Sequence, residues 1–550
     1  MKFLPIILAI FASQRVDAVI NREEVVSGDA GDTPTPWPRP RMLSCKANAA
    51  QLPSTAAGLS ITASIQCDVI DKAIARYKRL IYASVDGGAA NRRSKGSIVS
   101  FHSLRVEVGG GVCEAYPHFA MNEAYQLEMY GNGSGVIRAE SVWGALRGLE
   151  TFSQLVIYGH PGALRIRQCL VRDAPRFPHR GVMLDTSRHF LPIGAILENL
   201  DLMAQNKFNV FHWHMTDDES FPYQSETFPD LSAKGAFSPT HVYKKADIEK
   251  VIEFARLRGI RVVVEFDTPG HTISWGKGQK GLLSKCYDKN GNYTGTDALI
   301  DPTHRASYDF LLALFKEVLG LFPDRFVHLG GDEAQFWYSC WRHNPRVQQF
   351  LRLWNMTGDL VFLENKYMQW FVDNVVARAR RHRPEVIVWQ EVLDNGYEGE
   401  TMVAHVWKGD HPHEISAELG KVTSRGHRAL LSSCWYLNHI KYGADWQPFY
   451  QCDPQNFNGS AWQKRLVLGG EACMWSEYVD ATNLTPRLWP RASVVGEKLW
   501  SASWLTKDAN EAAPRLHQHR CLMLRRGFRV EPASGPSFCP VELDYPYPAE

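Results

Sequence analysis

The chain has little that would commit it to nucleic acid or to a membrane. Its 550 residues hold 61 Lys+Arg against 59 Asp+Glu, a net charge of only +2, and no basic run or stripe stands out. Without a concentrated positive patch there is nothing to grip a phosphate backbone, so nucleic acid is not expected as a partner. Long apolar runs are also missing. The stretch from Phe3 to Ala12 is too short to cross a bilayer and no later segment qualifies, so no membrane span is expected. With Lys2 before it and small residues near Ala18 after it, that stretch reads as a signal peptide over residues 1–18. The segment from Ala18 to about Arg41, rich in Pro, Gly and Asp, reads as an irregular leader.

What is abundant fits an exported globular protein. Apolar residues make up 45% and aromatics 11%, with 17 Trp, a residue that stacks on sugar rings as well as filling cores. Export makes disulfides plausible for the 11 cysteines, and the odd count leaves at least one free or paired with another chain. Acceptor sequons at Asn132, Asn292, Asn355, Asn458 and Asn483 fit the same compartment and are candidate glycosylation sites.

From Leu43 to about Arg172, strand-like runs (Ile98 to Leu104, Gln126 to Met129) alternate with helix-like stretches (Cys67 to Ile81, Ser141 to Val156), which predicts a small α+β domain. No catalytic cluster stands out in it. The stretch Arg172 to Pro178 reads as a hinge. Beyond it, short β-branched runs recur about eight times: Gly181 to Leu184, Phe208 to Trp213, Arg261 to Phe266, Phe326 to Leu329, Val386 to Trp389, Met402 to Trp407, Ala429 to Ser432 and Leu466 to Gly469. Amphipathic segments such as Ile193 to Asn206 and Lys245 to Arg258 separate them. This α/β alternation predicts a (β/α)8 TIM barrel, with a doubly wound sheet as the alternative. The barrel is favoured because polar and aromatic residues follow nearly every strand, where a barrel gathers them on one face: Asp185 and Arg188, His214, Asp217 and Asp218, Asp267 and His271, Asp332 and Glu333, Trp389, Trp407, Tyr436 and Asn438, Glu471, Trp475 and Glu477.

The segment Phe326 to Trp337 is the most telling. A short buried strand runs into Gly330 and Gly331, which let the backbone approach a ligand, and then into the neighbouring acids Asp332 and Glu333. Two adjacent carboxyls leaving a buried strand do not both ionise freely, so one is expected to titrate high enough to serve as a general acid. Phe336 and Trp337 are expected to wall the pair.

The strings Arg180-Gly with Leu184-Asp-Thr-Ser-Arg-His189, Phe211-His-Trp-His214 with Asp217-Asp218, Glu265-Phe-Asp-Thr-Pro-Gly-His271, His328-Leu-Gly-Gly-Asp-Glu333 and Gly470-Glu-Ala-Cys-Met-Trp475 resemble, in order and over nearly the whole mature chain, the family 20 glycoside hydrolases. Within that family they look like the lysosomal β-hexosaminidase subunits of animals. The resemblance implies an exo-acting, retaining β-N-acetylhexosaminidase that releases terminal β-GlcNAc or β-GalNAc. The substrate's own 2-acetamido group is the nucleophile, and the intermediate is an oxazolinium. It implies catalytic roles for Glu333 (general acid and base), Asp332 (holding the acetamide N–H), Tyr436 (donor to the acetamide oxygen) and His271 (tuning or orienting Glu333, with Asp267 beside it). It implies substrate contacts by Arg188, Asp217 and Glu477 at the ring hydroxyls and by Trp389, Trp407 and Trp475 around the acetamide and beneath the sugar. Taken singly, any of these tryptophans could be barrel core, and Arg188 could be an ion pair with Asp185.

The domains implied are a signal peptide (1–18), leader and α+β domain (19–175), catalytic barrel (176–505) and a C-terminal helix with a disulfide-tied tail (506–550). The resemblance pairs Cys67 with Cys113, Cys286 with Cys340, and Cys521 with Cys539. It leaves Cys473 a buried thiol and the pairing of Cys45, Cys169, Cys434 and Cys452 open. It implies a homodimer or a heterodimer with a sister chain, in the lysosome or secreted, and no cofactor or metal, although His212 and His214 with Asp217 and Asp218 are residue types that zinc sites use.

The chain departs from the animal subunits at Tyr436-Leu-Asn438-His439. Asn438 removes a carboxylate that would repel sulfate, and His439 stands where a permanent cation would bind it. Neutral sugars are therefore expected to dominate, with 6-sulfated ones tolerated mainly at acid pH. Two other readings stay open: a non-catalytic sugar-binding barrel, against which the presence of both Asp332 and Glu333 argues, and chitinase-like endo cleavage.

Overall fold

The computed structural model describes residues 34–83, 99–159, 163–356, 359–377, 384–397, 399 and 402–544. The signal peptide and the leader up to residue 33 lie outside the described residues, as do Ile98, where one expected strand begins, and Thr357 of the Asn355 sequon.

The N-terminal unit is a mixed sheet with Met42–Gln51 at one edge and Ser60–Ala63 at the other. Helices Asp68–Tyr82 and Val142–Gln154 pack against each other beside it. The second starts cleanly because the Ser141 hydroxyl accepts the Gly144 N–H at 3.1 Å. The expected strand at Ile98 to Leu104 instead runs from Ser103 to Val108. This unit is bolted to the next by buried ions: Glu123 accepts from Arg147 (2.9 Å) and Arg180 (2.6 Å), and Lys207 lies 3.1 Å from Asp173.

Eight parallel strands close the barrel: His179–Asp185, Val210–His214, Arg261–Glu265, Phe326–His328, Glu385–Trp389, Val403–Val406, Arg428–Leu431 and Val467–Met474. The doubly wound alternative is thereby excluded. Strand residues alternate between two faces. Phe211, Trp213, Val262, Val264, Val327, Val388 and Leu431 turn outward into the core shared with the helices. Val210, Val263, Phe326, Ile387, Val403 and Leu430 turn inward and meet as an apolar plug. Two residues further along the same strands, and so on the same inward face, stand His212, Glu265, His328, Trp389 and His405. The register sets Glu265 beside His328 and Trp389 beside His405.

Strand eight corrects one expectation. It does not end at Gly469 but continues to Met474, so Glu471 is not at the mouth with Trp475 and Glu477. It is buried inside the barrel, against His179 and His212.

Candidate active site

The turn after strand four is built around a backbone that side chains would obstruct. Gly330 has φ +68°, and a Cβ there would lie 1.7 Å from Asp267 Oδ1; at Gly331 (φ +95°) it would lie 2.3 Å from Val392. The close approach lets the Gly331 N–H donate to Asp267 Oδ1 at 2.8 Å. Glu333 follows at φ +52°, and His271 on the neighbouring loop has φ +54°. Two non-glycine residues in the left-handed region, both at one site, mark backbone held against its preference.

Glu333 is half-buried. Burial first, and the charge of Asp332 second, raise its carboxyl above the ordinary value, which suits a proton donor. His271 Nε2 faces both acids, 3.6 Å from Asp332 Oδ2 and 3.7 Å from Glu333 Oε2, while its Nδ1 lies 3.0 Å from Asp217 Oδ1. Burial opposes the charge of His271, but Asp217 and Asp332 outweigh it and hold the imidazolium well above its usual range. Asp267 is pushed well up by burial and by Asp332. Asp267 Oδ2 and Asp332 Oδ1 are both buried without a hydrogen-bond partner.

The expected wall of Phe336 and Trp337 is not there. After Glu333 the chain makes a short 3-10 turn, Ala334–Trp337, that carries Phe336 outward to 69% exposure and packs Trp337 on the Cys286–Cys340 cluster instead. The apolar walls come from other strands. Trp389, Trp475, Trp407 and Tyr436 gather with Met183 and Cys473. The Trp407 and Tyr436 rings stack at 6.0 Å, and Trp389 and Trp475 lie 5.9 Å apart. Burial raises the Tyr436 phenol well above 10, so it remains a hydrogen-bond donor. Trp407 Nε1 donates to Glu391 Oε2 at 2.8 Å, and Lys408 Nζ lies 2.8 Å from the other Glu391 oxygen. Burial and then Asp332 lift Glu391 to about 7.

On the opposite rim Arg188 stands over the Trp475 ring at 4.9 Å and reaches Asp217 (2.7 Å), Asp185 (3.3 Å) and Glu219 (3.3 Å). Arg188 is thus ion-paired with Asp185, as one reading expected, while its guanidinium lies over Trp475. Glu477 is exposed and adds to the field that keeps Arg188 charged. Asp217, by contrast, is fully enclosed by Arg188, His214 and His271. Asn438 is half-buried with an unpartnered buried Oδ1, and exposed His439 has its ring 6.1 Å from Tyr436. Arg491 pins this loop through the carbonyls of Leu437 (2.9 Å) and His439 (2.7 Å).

Sequence reading gave no role to the polar layer beneath these residues, Glu265, His328 and His405, nor to Glu391, which follows strand five beside Trp407. The signal was present, since His212 and His214 are two apart and the same spacing carries the inward face down every neighbouring strand. His212, His328 and His405 approach within 4.8 Å of one another, but both His212 ring nitrogens already face carboxylates. Disulfides join Cys67–Cys113, Cys286–Cys340 and Cys521–Cys539, and also Cys45–Cys169 and Cys434–Cys452, leaving Cys473 a buried thiol. Among the sequons Asn132, Asn292, Asn355 and Asn458 are exposed, while Asn483 is half-buried with Nδ2 donating to the Tyr478 carbonyl at 3.0 Å.

Residues 177–503 match the model of the glycosyl hydrolase family 20 catalytic domain, and residues 36–155 match that of a β-acetyl hexosaminidase-like domain. The mouse β-hexosaminidase subunit alpha is 46% identical over 488 residues (88% of this chain, 90% of the relative), and the mouse subunit beta is 48% identical over 475 residues (86% of each). Among solved structures, the chitobiase of Flavobacterium johnsoniae superposes with a TM-score of 0.75 at 28% identity, covering 90% of this chain and 72% of that one.

Proposed function

The chain belongs to glycosyl hydrolase family 20, and from that membership we propose how its residues divide the work of a β-N-acetylhexosaminidase. The enzyme is an exo-acting, retaining glycosidase that removes terminal β-GlcNAc or β-GalNAc by substrate-assisted catalysis. Glu333 protonates the glycosidic oxygen as the C1–O bond breaks. The acetamide carbonyl oxygen attacks C1 in the same step, giving the oxazolinium. Asp332 accepts from the acetamide N–H and stabilises its growing positive charge, and Tyr436 donates to the oxygen that attacks. Water then adds to C1, Glu333 takes its proton, and the sugar leaves with its configuration kept. Beside a wall of buried tryptophans these fixed charges and dipoles act more strongly than they would in water.

The observation that carries this reading is the placement of the raised Glu333 acid next to Asp332, facing a cage of Trp389, Trp407, Trp475 and Tyr436. That cage fits an acetamide, and Arg188 and Glu477 at the rim fit the hydroxyls of a terminal sugar. Asp217 acts there chiefly by holding Arg188 and His271. The test is hydrolysis of an aryl N-acetyl-β-glucosaminide followed by proton NMR, with the matching β-glucoside as control. The β-anomer should form first and the glucoside should stay intact; α-anomer first, or equal cleavage of the glucoside, would refute the mechanism.

Asn438 and His439 set the response to 6-sulfated sugars, tolerated when the imidazole is charged. The relatives named as alpha and beta subunits support a dimer for this chain, with itself or with a sister subunit. No described helix is long and apolar enough to cross a membrane. An apparent signal peptide, five disulfides and exposed sequons support a place in the lysosome or outside the cell.

A further inference from the structure

From beneath the sugar pocket up to the acid runs a continuous line of ionisable groups, whose lower members, Glu471, His212, Glu265 and His214, the mechanism leaves unused. Glu471 faces His212 Nδ1 at 2.8 Å, and His212 Nε2 lies 2.9 Å from Glu265 Oε2. The same Glu265 oxygen meets His214 Nδ1 at 2.7 Å, and His214 Nε2 meets Asp217 Oδ2 at 3.0 Å. Asp217 Oδ1 meets His271, whose far nitrogen faces Asp332 and Glu333. Carboxylates and imidazoles alternate throughout, and Glu265, Glu471, His212 and His214 are all buried at 1% exposure or less. A lone buried charge is prohibitive, but here each interior one lies between two of opposite sign. Burial opposes the histidine charges, yet the carboxylates outweigh it, holding His212 at about 9 and His214 at about 10. Beyond the line, His179 lies 2.6 Å from Glu471, and Arg188 meets Asp217.

Glu265 is the branch point. Its second oxygen accepts the indole N–H of Trp389 at 2.8 Å and lies 3.2 Å from His328 Nδ1. One buried carboxylate therefore touches, through one oxygen, the relay that ends at the acid and, through the other, a wall of the acetamide cage. We propose that Glu265 is a positioning residue that couples leaving-group protonation to the acetamide pocket, acting through His214, Asp217 and His271 on Glu333 and through Trp389 on the N-acyl group.

This rests on the roles given above to Glu333 and Trp389, and the test separates the two layers. The full-length Glu265→Gln, His214→Gln, Trp389→Phe and Glu333→Gln enzymes are assayed on aryl N-acetyl-β-glucosaminides running from dinitrophenyl, which leaves without a proton, to phenyl, which needs one. N-propionyl analogues report on the cage. Glu265→Gln should lose at least roughly tenfold more kcat/KM on the phenyl than on the dinitrophenyl substrate, because only the former depends on the acid. It should also discriminate less against N-propionyl. His214→Gln keeps a donor toward Asp217 but cuts the link to Glu265, so it should steepen the leaving-group dependence alone. Trp389→Phe should change acyl selectivity alone, which keeps the proposal open to refutation if Glu265→Gln does not fold. Uniform loss on all substrates, with acyl selectivity unchanged, would make Glu265 merely structural and overturn the proposal. If Glu333→Gln itself shows no steepening, the acid is misassigned and both readings fall. If Glu333→Gln steepens and neither Glu265→Gln nor His214→Gln does, only the coupling falls.

Discussion

The two levels of the barrel interior are lined by the same strands, often by residues only two positions apart, yet they are chemically opposite. Lower down, Val210, Val263, Phe326, Ile387, Val403 and Leu430 close on one another as a dry apolar plug. One step up each strand stand His212, Glu265, His328, Trp389 and His405, and above them Asp217, His271, Asp332 and Glu333. Apolar burial stabilises without regard to direction, whereas a buried ion must find its partner at one place. The plug can hold the barrel closed with many interchangeable residues. The upper layers set a proton and a charge at fixed points, each held by its own charged partners.

That contrast can be broken, or sharpened, by experiment. The largest effect belongs to the top. Glu333→Gln should lower kcat/KM on an unactivated glycoside by about 10²–10⁴-fold while leaving the melting temperature unchanged or higher; a large fall in melting temperature would show that function and stability are not separated by level. Leu430→Ala should do the reverse, costing about 2–5 kcal/mol in denaturant unfolding with per-molecule activity kept in the cold. Activity lost in the still-folded protein would mean that the plug positions the site in detail.

Asp332→Asn should cost about 10²–10³-fold in kcat. It also removes the second cause of the raised Glu333 acid, so the alkaline limb of the pH–rate profile should move to lower pH. A limb that stays in place would assign the shift to burial alone.

Stability should also follow the charged layer. His212 and His214 are raised from 6.5 to about 9 and about 10, so their contribution is complete below about pH 6.5 and is lost as pH rises through those values. Glu265 and Glu471 are depressed below 4.5: burial opposes their charge, and the facing histidines outweigh it. Their contribution is present above about pH 4.5 and fades as pH falls through their lowered values. Melting temperature against pH should therefore be highest between these limits, and a maximum above pH 9 would contradict the alternation of charge. The smallest effect is at the rim, where His439→Arg should raise the relative rate on 6-sulfated substrate by roughly tenfold or less at neutral pH, in line with one partly solvated ion pair.

Legibility from sequence divides along the same line. The barrel itself was readable because runs such as Val386 to Trp389 are apolar on both faces, as strands covered by helices must be. The mouth was readable because Asp332, Glu333, Trp389 and Tyr436 are chemically conspicuous at strand ends. Glu471 was misplaced because an acid in a strand reads as the strand's end until its partners, His179 and His212, are brought beside it from other strands. Glu265, though it opens one of the family-like strings, was given no role for the same reason: its four neighbours come from strands two, four and five. Phe336 misled because a left-handed residue at Glu333 turns the chain away, and nothing in the local sequence announces that turn.

That left-handed residue also bears on what happens to such a protein over time. A side chain with a Cβ occupies φ +52° at a penalty of about 1–2 kcal/mol, and the carboxyl it carries is further disfavoured by burial and by its neighbour's charge. At this position the residue that catalyses is not the residue the fold prefers. A duplicated copy released from its duty would find the acid easy to discard, since glycine or asparagine there would relieve the backbone and remove the charge together. Loss of the acid is, at Glu333, the thermodynamically downhill direction.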